Sequence, residues 1–193
     1  MGFIEELAAL GGLAEARRFV APWQDVEREL GIGVPFDYVE YVGHFGPGGW
    51  SNYLGVLIPG VADSSSDLVH QSNILNELLT QHPIVREQQP FPIFPEPGGL
   101  LRWGNSATAE TFHWRVDTDD PDSWSTVVLG DAKEEVYEFH GPMTEFLAKL
   151  FDRRIHVPFM NQIPKRSDTR FSPSDGTPLS PRFRIEPLGY FEN

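Results

Sequence analysis

Cysteine is absent from this chain. Its absence excludes a disulfide framework, a thiolate metal site and a cysteine nucleophile, and it fits a reducing compartment. Long apolar runs are missing too: none approaches the ~20 residues that a membrane-spanning helix requires. The opening Met1–Leu7 has no basic stretch of the kind that begins a secretory leader. A cytoplasmic protein without a membrane partner is therefore expected. Positive charge is scarce, with 15 Lys and Arg against 28 Asp and Glu, a formal net charge of −13. The deficit is uneven: residues 1–160 hold 24 acidic and 10 basic side chains, whereas the last 33 residues hold 4 and 5. An acidic body repels nucleic acids and anionic membranes and attracts basic partners.

Catalytic and cofactor motifs are also lacking. None of the six histidines stands in a His-Glu-x-x-His or other short-spaced metal pair. No Gly-x-Ser-x-Gly elbow is present. The glycine-rich run from Gly43 to Gly49 has no Gly-Lys-Ser/Thr ending and follows a helix instead of joining a strand to one, so it reads as a turn and not as a phosphate loop. His113 falls on the polar side of an alternating strand and reads as a surface or cross-strand residue. The expectation is a protein that is not an enzyme and has no metal and no cofactor.

Aromatic material is plentiful, with 14 Phe, 5 Trp and 5 Tyr. At 193 residues the chain fits one domain that can bury roughly 70% of its unfolded surface without a staple. Residues 3–20 are helical in pattern, interrupted near Gly11-Gly12. Two further helices are expected at about 22–30 and 35–45. Tyr53–Ile58 reads as a short strand closed by Pro59-Gly60. Ser64–Asp67 offers helix caps before a Leu68/Ile74/Leu75/Leu78/Leu79 stripe. Four prolines between Pro90 and Pro97 forbid a helix there. The period then changes to two: Leu100–Gly104, Thr111–Val116, Ser125–Leu129 and Val136–Phe139 read as consecutive strands, and short turns make them an antiparallel meander. Met143–Phe151 is a last helix. Residues 161–193, rich in Ser, Pro and Arg, read as a tail. The fold class is α+β, a single domain with N-terminal helices and a C-terminal helix packed on a mainly antiparallel sheet.

The densest local signal is Trp23 to Tyr38. Trp23, Val26 and Leu30 share one helical face. Glycine at 31 or 33 stops that helix, because glycine enters the left-handed region without a Cβ clash. Pro35 suits the start of the next helix, and Asp37 suits its first turn, where a negative charge meets the helix dipole. The pattern formed by Trp23, Glu27, Gly31, Pro35, Asp37 and Tyr38 resembles the opening of the SUKH superfamily, which contains bacterial toxin-immunity proteins and fungal cell-wall regulators. Val34 is smaller than the Leu or Phe usual there. The resemblance covers about residues 20–155 of a 1–160 domain, with a helical insertion at about 64–88. It implies a non-catalytic binding protein: an immunity protein that occludes a polymorphic toxin, or a regulatory domain with an endogenous partner. The motif residues themselves read as mainly structural, with Trp23 in the core.

The candidate partner surface is sought elsewhere. Asp117, Asp119, Asp120, Asp122, Asp131, Glu134, Glu135 and Glu138 stand against a single Lys133 and are expected to crowd one edge of the sheet. The loop around Trp50 is the second candidate. The expected partner is a protein, with a basic toxin domain the first choice; the oligomeric state is open at this point.

Overall fold

The computed structural model describes residues 2–87, 89–132 and 135–177. Helix α1 (Phe3–Gly11) ends where Gly12 turns left-handed at φ 68°. Residues 13–22 beyond it form no helix or strand, so the helical pattern up to residue 20 does not form a second helix. Helices α2 (Trp23–Leu30) and α3 (Phe36–Phe45) follow, separated by the corner at Gly31, whose φ of 73° fits the stop expected of it.

Strands β1 (Gly48–Trp50) and β2 (Leu54–Val56) form a short hairpin. The insertion contains α4 (Leu68–Gln81) and α5 (Pro83–Glu87). Asp67 caps α4, accepting a bond from the His70 amide at 2.7 Å. Strands β3 (Gly99–Ser106), β4 (Thr111–Val116), β5 (Ser125–Leu129) and β6 (Val136–Phe139) make the expected meander. Helix α6 (Met143–Phe151) and strand β7 (Phe171–Pro173) complete the described chain.

The seven strands lie in the order β6-β5-β4-β3-β2-β1-β7, and every paired neighbour is antiparallel. The fold is α+β. Trp103, Phe112 and Trp114 point from the sheet into a core shared with Tyr38, Tyr41 and Phe45 of α3 and with Phe146, Leu147 and Leu150 of α6. Trp103 stacks on Phe112 at 5.2 Å, and both rings meet Phe146. No helix among the described residues is long and apolar enough to cross a membrane.

Trp50 is not a surface residue: it is 0% exposed, stacks on Phe151 at 5.0 Å and donates its indole N–H to the Tyr41 hydroxyl at 2.8 Å. The glycines around it form strand β1, and the alternation of the strand turns Trp50 inward. Residues 161–177 are not a tail. Phe171 pairs opposite Trp50 and is buried, as are Met160 and Ile163, so the domain continues past residue 160. The rest of that segment, residues 178–193, lies outside the described residues. His113 is not at the surface. It is 5% exposed, because this face of the sheet is covered as well: α4 packs along β3, and Leu79 and Val127 are buried apart from the main core.

Candidate protein-binding surface

The motif residues divide between core and surface. Tyr38 donates its hydroxyl to the Leu57 carbonyl at 2.5 Å, and its ring meets Trp114 edge-on at 4.9 Å. Burial pushes the Tyr38 phenol well above its ordinary pKa. Trp23 is only partly buried, against the edge of Tyr38 at 6.0 Å. Glu27 is exposed.

Asp37 does more than the first turn of α3 requires. Its Oδ2 accepts bonds from the Thr144 amide and hydroxyl, both at 2.9 Å, and so caps α6. Desolvation is the main cause that raises its pKa, and the charge of Asp122 adds to the rise. Both α3 and α6 begin after a proline, Pro35 and Pro142, which has no side-chain acceptor. Carboxylates from other elements satisfy their free amides instead. For α3 that carboxylate is Asp122, whose Oδ1 accepts the Phe36 N–H at 2.6 Å.

This bond fastens the acidic β4–β5 turn to the Gly-Pro corner. The turn is ordered in its own right: Asp120 caps a single 3-10 turn at Pro121–Ser123, and Trp124, itself buried, donates its indole N–H to the Thr118 carbonyl at 2.9 Å. Asp117, Asp119, Asp120 and Asp122 are all exposed on it. Beside them Phe36 is 61% exposed, a large aromatic left in water. Sequence reasoning passed over Phe36, although a signal was available. It lies ~200° around the helix from Tyr38 and off the Tyr38/Tyr41/Val42/Phe45 stripe.

The remaining acids do not join this surface. The turns before and after β5 sit at opposite ends of the strand, ~17 Å apart for five residues. Asp131 and Glu135 therefore lie at the far end, where Glu135 accepts the Ala132 amide at 3.1 Å. Glu134 and Lys133 lie outside the described residues. Glu138 is engaged within the sheet, with Arg115 at 3.4 Å and the Ser125 hydroxyl at 2.6 Å. The single acidic edge read from the sequence is thus two separate ends, of which the Asp117–Asp122 end holds the larger cluster.

Among the described residues no group of three His, Cys, Asp or Glu side chains is arranged to hold a metal ion. No family model, curated protein or solved structure matches the chain.

Proposed function

We propose that this chain is a non-catalytic protein-binding domain of the immunity type, which neutralises a basic bacterial toxin domain by direct occlusion in the cytoplasm. The observation that carries this reading is the acidic turn Asp117–Asp122, clamped to the start of α3 by the Asp122–Phe36 bond. Four exposed carboxylates held there present a fixed negative field next to an exposed aromatic ring. Such a field speeds encounter with a basic partner and repels anionic ones. A toxin that acts on nucleic acid needs a basic cleft, and an acidic surface can fill that cleft by presenting carboxylates where phosphates would sit. The opening motif from Trp23 to Tyr38 supports the same reading through its resemblance to the SUKH pattern.

The test pairs this chain with the toxin domain encoded beside its gene. Co-purification and protection of cells expressing the toxin are the expected results. Asp117→Lys with Asp119→Lys, two substitutions on exposed positions, should abolish protection without changing the melting temperature. If the wild-type chain neither binds nor protects, the reading fails. If pull-down from the native cell instead recovers housekeeping proteins, the chain is a regulatory domain with an endogenous partner.

A further inference from the structure

Two acidic features meet at the start of α3. One is the Asp117–Asp122 turn, bonded to it through Asp122. The other is a cavity of ≈ 550 Å³ that opens between α1, α3 and the start of α6. Glu5 of α1 and Asp37 and Glu40 of α3 line it, and Phe3 and Pro142 give it an apolar wall. No Lys or Arg is among its lining residues. None of the three carboxylates takes part in an ion pair among the described residues. His44, one turn further along α3, lines the same cavity, and its Nε2 is buried without a hydrogen-bond partner. Phe36 links the two acidic regions: its amide bonds Asp122 of the turn, and it directly precedes the Asp37 that lines the cavity.

We infer that the exposed start of α3 is the docking centre, with Phe36 as its anchor, and that the occupant is a cationic protein face. That face offers an apolar recess to Phe36 and one arginine or lysine side chain to the cavity. Charge complementarity commits the surface to this occupant: every ionised side chain named on it is an acid, and aromatic side chains, Phe among them, are enriched at protein interfaces. The cavity suits a guanidinium in particular, because its walls offer the exposed carboxylates of Glu5 and Glu40 to a planar five-donor group and apolar surface to the methylene stem. The inference rests on the protein-binding reading above and assigns the contact points of the same partner.

Two measurements test it. The first uses the isotope-labelled full chain with n-propylguanidinium, and with N-propylurea as a neutral control of the same shape. Saturable amide shifts at residues 4–5 and 37–44 with the cation alone are expected. Glu40→Gln, an exposed position, should weaken them at least about threefold. Equal shifts with both probes, or shifts spread evenly over all acidic residues, overturn the cavity assignment. The second measurement uses the neighbouring toxin domain. Phe36→Ala should leave the melting temperature unchanged and weaken binding by about 30-fold or more, the range of an interface anchor. Wild-type-like binding by Phe36→Ala overturns the anchor while the protein-binding reading stands. If the wild-type chain binds no toxin, that reading falls and the Phe36 anchor falls with it, while the guanidinium titration still decides the cavity assignment.

Discussion

His113 is the residue where burial has the clearest consequence in solution. It lies in a cross-strand row between Arg102 of β3 and Val127 of β5. Desolvation first, and the charge of Arg102 second, lower its pKa to about 3. In the unfolded chain a histidine titrates near 6.5. Between these values the unfolded state holds the extra proton, so stability is complete above ~6.5 and is lost as pH falls toward ~3, with a slope of up to about 1.4 kcal/mol per pH unit from this group. His113→Gln should flatten that slope. Urea denaturation at pH 7, 5.5 and 4.5 measures it; parallel curves for the two proteins would show that His113 is not the sensitive group. Alternation in the sequence sets Phe112, Trp114 and Val116 on one face of the strand, and all three are buried. It put His113 outward because period two marks only which residues share a face, not whether the second face is covered.

At the scale of elements, most segments with a clear period were legible, and the three-residue strands β1 and β7 were not. Strand β4 and helix α6 form where their patterns place them, since each carries enough turns or alternations to define a face. Strands β1 and β7 have three residues each, too few for a period, and their pairing joins segments more than 120 residues apart. Strand β1 also pairs with β2, but β7 has β1 as its only strand partner among the described residues. A chain ending at Met160 loses β7 and the buried Ile163 and Phe171, and it uncovers Phe45 and Trp50, which both contact Phe171. At about 1.5–3 kcal/mol for each buried side chain removed, the loss is a large share of the stability of a single domain. Circular-dichroism melts should show a fall of more than about 10 °C or no cooperative transition. An unchanged melt would return residues 161–177 to the status of a tail. Phe171→Ala in the full chain is the companion variant, with an expected cost of about 3–5 kcal/mol.

For the whole molecule, charge is the property that the proposed partner would sense first. With a net charge of −13, association with a basic domain should be steered and sensitive to salt. Between 50 and 500 mM NaCl the association rate should fall by about tenfold or more while dissociation changes little, as expected when the Debye length shrinks below the spacing of the charges. Stopped-flow mixing measures both rates; an association rate indifferent to salt would set aside the acidic turn as the steering element. The sequence by itself determined the α+β class, the meander and the Gly31–Pro35 corner, because these follow from local periodicity, turn chemistry and neighbouring strands. It also determined the sign of the surface. Only the tertiary structure decided which acids act together. Turns at the two ends of β5 look alike in sequence, yet among the described residues it is the first whose carboxylate bonds the start of α3. Likewise only long-range packing buried Trp50 behind β7 and left Phe36 in water beside Asp122.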